Sequence, residues 1–169
     1  SIEKAAMISG IGSKNIRHIE VNNDFSMNIF TLKKQIIKDI DDGYVPFFIC
    51  ATIGTTSSNG IDSLKEIGNI CDQYKLWMHV DAAMAGTAAL CPEFQYIQAG
   101  INYADSYLFN PHKWMLTNFD CSCLFIKNKE HLISALGIMP EYLKTESSKT
   151  DKVIDYRDWQ IPLGRRFRS

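Results

Sequence analysis

The stretch Pro46-Phe47-Phe48-Ile49-Cys50-Ala51-Thr52 decides the fold class of this chain. It is almost wholly apolar, and such runs are typical of strands that are covered on both faces, as in parallel sheets. Amphipathic helical patterns stand on either side of it, at residues 31–41 and 62–74. A buried strand between two such helices predicts an α/β fold built around a mainly parallel sheet with flanking helices.

The rest of the chain continues this alternation. The hydrophobic patterns predict further strands at residues 16–21, 76–81, 104–109 and 121–126, and helices at residues 2–11 and 129–136. We find no internal repeat and no linker composition, so a single domain is expected from 169 residues. The polar stretch at residues 145–152 predicts a surface loop.

Composition and charge exclude several classes of protein. The chain is 46% hydrophobic and 22% charged, which excludes disorder, collagen and coiled coil. Its net charge of −1 provides no field for nucleic acid or an anionic membrane, so neither is expected as a partner. No apolar run is long enough to span a membrane, and the first residues lack a signal-peptide pattern.

The cysteines favour a reducing compartment. There are five of them, an odd number, and no Cys-x-x-Cys pair occurs. The spacing of a metal site is also absent, so no metal is expected. We interpret them as reduced thiols in a cytoplasmic protein.

Three predicted strands end in residues that can carry chemistry. They are Ala51-Thr52-Ile53-Gly54-Thr55-Thr56, His79-Val80-Asp81-Ala82-Ala83 and Asn110-Pro111-His112-Lys113-Trp114. In open α/β sheets, ligands bind just outside the carboxyl ends of the strands. The sequence therefore predicts that hydroxyls, a carboxylate, a histidine and a lysine gather at one edge of the sheet.

Asp81 and Lys113 at one edge admit two interpretations. The simpler is a structural salt bridge. The more specific interpretation is a binding site for pyridoxal phosphate, which needs an amine for a Schiff base and a carboxylate beside its protonated ring nitrogen. The small pair Ala82-Ala83 leaves room for a flat ring, and Asn110 and His112 could donate hydrogen bonds to a phosphate or a substrate carboxylate.

These motifs resemble those of the group II pyridoxal-phosphate decarboxylases, and most closely the aromatic-L-amino-acid decarboxylases. The resemblance spans essentially the whole chain in order. Besides the three strand ends, it rests on Asn118-Phe119-Asp120-Cys121-Ser122, Cys91-Pro92-Glu93-Phe94 and the stretch from Asp155 to Ser169. It implies a fragment of the large domain of a fold-type-I enzyme, similar in fold to aspartate aminotransferase.

The resemblance also implies roles for individual residues around pyridoxal 5'-phosphate. Lys113 would form the Schiff base, and Asp81 would pair with the pyridine nitrogen. Ala83 would pack against the ring. Thr56 would lie near its 3-oxygen, and Asn110 would help to hold the phosphate.

Four further residues take roles from the resemblance or stay open. His112 would neighbour the cofactor and the lysine, as a catalytic residue. Tyr142 would lie on a mobile catalytic loop at about residues 139–153 and would protonate the substrate Cα. For His79, a hydrogen bond near the cofactor and a satisfied core histidine remain equally open. Met84 departs from the family pattern, in which many members have Tyr, and this leaves the local substrate contact open.

The implied activity is decarboxylation of an aromatic L-amino acid to an arylalkylamine and carbon dioxide. Histidine decarboxylases of the family carry Ser before the lysine, so His112 favours an aromatic substrate. Tyr142 favours decarboxylation over the aldehyde synthases, which carry Phe there. The alternatives are an aldehyde synthase, a histidine decarboxylase or an inactive truncated fragment.

The resemblance also has implications for the full-length protein. It implies that an N-terminal segment, the rest of the large domain and a C-terminal small domain are absent, and that the full-length protein forms a homodimer. We therefore expect the isolated 169 residues to be inactive.

Overall fold

The computed structural model describes residues 2–137 and 156–161. The chain divides into two compact units, Ser1–Phe125 and Ile126–Ser169. In the second unit, the described elements are a helix at Lys129–Leu136 and a 3-10 helix at Tyr156–Trp159. Tyr142 and the predicted loop at residues 139–153 lie outside the described residues, and the assignment of all 169 residues to one domain stays a prediction.

A four-stranded sheet organises the first unit. Its strands are β1 (Phe48–Thr52), β2 (Trp77–Asp81), β3 (Ser106–Phe109) and β4 (Cys123–Ile126), and they lie side by side in this order. β1 pairs with β2 and β2 with β3 in parallel. The predicted α/β class with a mainly parallel sheet is therefore confirmed.

The helices in the described part of the chain are short. They are α1 (Ile2–Ile8), α2 (Ile29–Asp41), α3 (Leu64–Tyr74), α4 (Pro111–Trp114) and α5 (Lys129–Leu136). Asn28 caps α2, since its side chain accepts a hydrogen bond from the Thr31 N–H at 2.9 Å. Three 3-10 segments, Ala85–Leu90, Pro92–Gln98 and Ile101–Tyr103, connect β2 to β3. Within the described residues, no helix combines the length and the apolar character that a membrane span requires.

One face of the sheet forms the hydrophobic core. Ala51, Met78 and Val80 on this face are completely buried. The apolar stripes of α2 and α3 belong to the same core; they comprise Leu32, Ile36, Leu64, Ile67, Ile70 and Cys71. Gly68 of α3 allows the close packing, because a Cβ there would collide with the Tyr103 ring.

The opposite face of the sheet is only partly covered. Burial alternates along β1 and β2, so every second residue is half-buried or exposed. Phe48 at the start of β1 is 43% exposed. The prediction that this run is covered on both faces is therefore wrong for the described chain, because only one face carries α2 and α3.

The predicted strand at residues 16–21 is also wrong. These residues form no strand, and only an isolated bridge joins Val21 to Met27. The alternating pattern has another physical cause: the segment is extended and lies beside α2. Arg17 forms an ion pair with Asp39 at 2.9 Å and places its guanidinium 5.0 Å from the centre of the Tyr44 ring. Side-chain contacts with one helix produce the same alternation as a sheet.

Candidate active site

The carboxyl ends of three strands meet at one edge of the sheet. Thr52 lies opposite Asp81, and Asp81 lies opposite Leu108. The Ala82 N–H donates to the Leu108 carbonyl at 2.8 Å, so the alignment continues just beyond β2. Asn110 follows Leu108 by two residues. The structure thus brings Asp81 and the start of α4 to the same edge, as the sequence predicts.

Asp81 is the last residue of β2 and is half-buried. Its Oδ1 accepts the Ala83 N–H at 3.0 Å, which fixes the turn after the strand. Ala82 is fully buried and Ala83 is half-buried, so small side chains line this turn. Oδ2 has no hydrogen-bond partner among the described residues and remains available to a ligand.

Lys113 lies on α4, the short helix that follows β3. Asn110 is the N-cap and Pro111 is the first residue of the helix, where proline fits because its missing N–H would be unpaired in any case. The Lys113 N–H donates to the Asn110 carbonyl at 3.0 Å, and the lysine is exposed. Among the described residues Lys113 and Asp81 form no ion pair, so the simpler salt-bridge interpretation gains no support.

The two polar neighbours of Lys113 are held by the chain that returns after α4. The Cys121 N–H donates to His112 Nδ1 at 2.9 Å, and the Ser122 hydroxyl donates to Asn110 Oδ1 at 2.8 Å. The His112 ring also lies 4.8 Å from the Phe119 ring, centre to centre. Both side chains are therefore fixed in place before any ligand binds.

His79 lies in the middle of β2 rather than at its end, where the sequence predicts it. Its Nδ1 is 2.8 Å from the Ser106 hydroxyl oxygen, which also accepts the Trp77 indole N–H at 2.9 Å. Phe48 stacks on the imidazole with 6.0 Å between ring centres. Burial lowers the pKa of His79, and the Asp81 carboxylate opposes this only in part.

The two threonines after β1 have different surroundings. The Thr55 hydroxyl accepts the Gly60 N–H at 2.9 Å and lies 2.7 Å from the Ser58 hydroxyl, so it stabilises the turn. Thr56 is exposed, and its hydroxyl has no partner among the described residues. Gly54 has a φ of +75°, and a Cβ there would collide with Ala85, which explains the glycine before the two threonines.

The sequence interpretation missed Asp62, which holds the end of β1 in place. Its carboxylate accepts the Thr52 N–H at 2.7 Å and the Met27 N–H at 2.6 Å. Burial raises the pKa of Asp62 despite these two bonds. The only sequence signal is a carboxylate ten residues after a strand end, which is too common to be diagnostic.

Cys50 was also not assigned to the site. It lies beside His79 in the sheet register, and burial together with the nearby carboxylates of Asp81 and Asp62 raises the pKa of its thiol to about 12. A thiol with such a pKa is a weak nucleophile at neutral pH. Cys50 therefore contributes packing rather than reactivity.

The structure thus places the predicted residues in two groups. Asp81, Ala83, Asn110, His112 and Lys113 occupy the adjoining carboxyl ends of β2 and β3. His79 lies two residues before Asp81 on the same face, and Thr56 lies in the turn after β1. Tyr142 lies outside the described residues.

Known proteins are similar to this chain in sequence and in fold. The family model for the pyridoxal-dependent decarboxylase conserved domain matches residues 1–169. Tryptophan decarboxylase 2 of Oryza sativa subsp. japonica is 46% identical over 171 residues, which cover 100% of this chain and 34% of the relative. The chain therefore spans about a third of the length of that relative.

Two solved structures agree with the match. The structure of Oryza sativa TDC with PLP and tryptamine superposes with a TM-score of 0.92 at 39% identity, over 96% of this chain and 34% of the other. The 4-hydroxyphenylacetaldehyde synthase of Rhodiola rosea superposes with a TM-score of 0.86 at 40% identity, over 98% and 33%. The chain has the fold of part of the large domain of a fold-type-I pyridoxal-phosphate enzyme. It belongs to the pyridoxal-dependent decarboxylase family.

Proposed function

We propose that the protein containing this chain is a pyridoxal-phosphate-dependent decarboxylase that converts an aromatic L-amino acid to an arylalkylamine and carbon dioxide. One observation carries the proposal: Asp81 ends β2 opposite Leu108 of β3, the strand that leads into α4 and its Lys113. The tryptophan decarboxylase of rice, 46% identical to this chain, supports the aromatic substrate class.

The donor set at this edge fits pyridoxal 5'-phosphate. The cofactor presents an aldehyde, a ring nitrogen that can hold a proton, and a phosphate. The edge presents an exposed amine on Lys113, a carboxylate oxygen on Asp81 with no partner among the described residues, and the amide and imidazole of Asn110 and His112. Ala83 adds a small apolar surface next to the carboxylate. Each part of the cofactor thus has a matching group.

Each residue then has a defined task. When bound, pyridoxal phosphate supplies an aldehyde for imine formation and an electron-accepting ring for the bond that breaks. Lys113 binds the aldehyde carbon through its Nζ. Asp81 holds a proton at the ring nitrogen and stabilises the positive charge there. Asn110 holds the phosphate, Ala83 packs on the ring, and Thr56 contacts its 3-oxygen.

His112 and His79 complete this arrangement. His112 neighbours the lysine and can donate from Nε2. His79 lies two residues before Asp81 on the same face of β2, and its hydrogen bond with Ser106 orients the imidazole. Its lowered pKa keeps the ring neutral near pH 7, so it adds no charge that would compete for the Asp81 carboxylate.

Proton delivery decides between decarboxylation and aldehyde formation. We propose that Tyr142, on a mobile loop at about residues 139–153, donates a proton to the substrate Cα after carbon dioxide leaves. The second candidate is an aromatic aldehyde synthase, which the likeness to the Rhodiola rosea 4-hydroxyphenylacetaldehyde synthase favours. Product analysis separates the two activities, since a decarboxylase releases an amine and a synthase releases an aldehyde.

The setting of the enzyme is part of the proposal. The full-length protein is a homodimer in the cytoplasm, and the free thiols of all five cysteines agree with a reducing compartment. Neither a metal ion nor nucleic acid takes part in its activity. The isolated 169-residue chain is inactive, because it spans about a third of the length of its relatives.

A substitution of the lysine tests the proposed function. In the full-length protein with pyridoxal phosphate and L-tryptophan, L-tyrosine or L-dihydroxyphenylalanine, we expect carbon dioxide and the matching amine. Borohydride should fix the cofactor on Lys113, and Lys113→Ala should abolish both labelling and turnover. Lys127→Ala, which removes a lysine after β4, is the matched control. Turnover that persists in Lys113→Ala would rule out the Schiff-base role.

A further inference from the structure

The segment that returns after α4 contacts both polar side chains next to Lys113 through their acceptor atoms. The Cys121 N–H donates to His112 Nδ1 at 2.9 Å, and the Ser122 hydroxyl donates to Asn110 Oδ1 at 2.8 Å. The backbone N–H of His112 in turn donates to the Cys121 carbonyl at 3.3 Å. The two ends of the turn are therefore joined by three hydrogen bonds.

The bond from Cys121 determines the tautomer of His112. A backbone N–H can only donate, so Nδ1 must present its lone pair. The proton of the neutral imidazole then resides on Nε2, which has no hydrogen-bond partner among the described residues. His112 is thus prepared to donate a hydrogen bond from Nε2 and is unable to accept one there.

The bond from Ser122 has the same effect on Asn110. An amide side chain has one acceptor and two donor hydrogens. Because Oδ1 is occupied by the Ser122 hydroxyl, the Nδ2 group is the part that remains without a partner in the described chain. Asn110 caps α4 without a side-chain capping bond, so the helix does not compete for the amide.

We propose that Cys121 and Ser122 are positioning residues, which hold His112 and Asn110 as hydrogen-bond donors in the segment just before Lys113 so that this turn binds an oxyanion. Because Lys113 is used for the Schiff base, the donors are the two side chains of His112 and Asn110, and the negative charge of a phosphate or carboxylate strengthens such hydrogen bonds. The oxyanion is the phosphate of the cofactor or the carboxylate of the amino-acid substrate. This inference rests on the proposed function and adds residues that orient its groups.

Ser122 is the residue through which the proposal can be tested, since Cys121 acts through its backbone. Ser122 is exposed, so its substitution leaves the core intact. Ser122→Ala removes the hydroxyl, Ser122→Thr retains it, and Ser134→Ala in α5 removes an exposed serine elsewhere. All three are made in the full-length protein, and thermal unfolding is expected to be unchanged.

Paired probes identify the oxyanion. The dissociation constants of pyridoxal phosphate and unphosphorylated pyridoxal are compared for the apoprotein, and those of L-tryptophan and tryptamine for the cofactor-loaded protein. In one of the two pairs, Ser122→Ala should weaken the binding of the compound that carries the oxyanion by about 3- to 10-fold, as expected for the loss of one orienting hydrogen bond. The binding of the other compound in that pair should be unchanged. Ser122→Thr should restore the binding. Unchanged ratios in both pairs, or equal weakening of all four compounds, would overturn the proposal.

A second measurement needs neither cofactor nor activity. In ¹⁵N-histidine-labelled protein, the long-range proton–nitrogen couplings of His112 should report the Nε2–H tautomer, with His112→Gln used for assignment. An Nδ1–H tautomer would contradict the proposed bond from Cys121. The proposed function fails separately, if the wild-type protein forms no borohydride-fixed adduct on Lys113.

Discussion

The two faces of the sheet differ at every second residue of β1 and β2. On one face, Ala51, Met78 and Val80 are completely buried against α2 and α3. On the other, Cys50, His79 and Asp81 are half-buried and lie near one another through the sheet register. Both faces use the same backbone, so the difference lies only in side-chain direction.

This difference separates stability from chemistry. The buried face consists of apolar groups, which stabilise the fold because their surface is removed from water. The other face carries groups that can donate, accept or hold charge, and its pKa shifts come from partial burial. If the separation is real, substitutions on one face should change activity and those on the other should change stability.

The largest expected effect concerns Asp81. In the full-length enzyme, Asp81→Asn keeps an oxygen for the Ala83 N–H but removes the charge that we place at the cofactor ring. We expect kcat/KM to fall by about 10²- to 10³-fold, as for other lost electrostatic partners. The free energy of unfolding should change by less than about 1 kcal/mol.

Steady-state kinetics and urea unfolding on the same preparation measure both quantities. Glu66→Ala on the exposed side of α3 serves as the neutral control. A loss of stability as large as that of a core substitution would remove the distinction between the two faces.

The opposite result is expected for Met78. It is completely buried in the core face, and Met78→Ala leaves a cavity. The free energy of unfolding should fall by about 2–5 kcal/mol. The kcat of the molecules that remain folded should stay within about twofold of wild type, because Met78 points away from the site. A proportional loss of kcat would mean that the two faces are coupled.

The pH dependence of stability provides a smaller test at His79. Burial lowers its pKa below the ordinary value of 6.5, so the unfolded chain binds a proton more readily than the folded chain. The stabilisation is therefore present above pH 6.5 and is lost as the pH falls through the lower pKa of the folded state. His79→Gln removes this titration.

The measurement is the free energy of unfolding of both proteins from pH 8 to pH 5. The free energy of unfolding of the wild type should exceed that of His79→Gln by a smaller amount as the pH falls below about 6.5. An advantage that stays constant, or grows toward acid, would show that the imidazole is not held neutral.

The smallest effect concerns the reactivity of Cys50. Its thiol has a pKa of about 12, raised first by burial and then by Asp81 and Asp62, so it should react with maleimide more slowly than the exposed Cys91. In Asp81→Asn, one repulsive charge disappears, and labelling of Cys50 should become roughly 2- to 10-fold faster. Mass spectrometry of the labelled peptides gives both rates.

Cys71 is the internal control for this experiment. Its pKa is also about 12, but burial, Asp105 and Asp72 raise it, and Asp81 does not contribute. Its labelling should therefore be the same in the wild type and in Asp81→Asn. Equal acceleration at both cysteines would indicate general loosening of the fold instead of a local charge effect.

The sequence predicted most of the sheet because strands and helices leave local patterns. The apolar run at β1 and the strand that ends in Asp81 are visible within a few neighbouring residues, and so is the lysine motif after β3. The wrong strand at residues 16–21 has the same alternation, which local pattern cannot distinguish from an extended segment beside α2.

The missing parts of the site depend on contacts between distant residues. Asp62 binds the N–H of Met27, 35 residues away, and Ser122 binds Asn110 across 12 residues. No periodicity encodes such pairs. The predicted strand at residues 76–81 agrees with β2 to within one residue, but the hydrogen bond of His79 with Ser106, 27 residues away, is not visible in a local pattern.

The alternation along β2 also bears on how this protein can change during evolution. Deleting one residue of the strand before Val80 would turn the Asp81 carboxylate toward the hydrophobic core and expose Val80 to solvent. Core packing and catalysis would then be lost together. The turn at residues 42–45 has no such constraint, since its residues are exposed and none of them belongs to the proposed site. Natural length variation among homologues should therefore avoid β2 and accumulate in exposed turns of this kind.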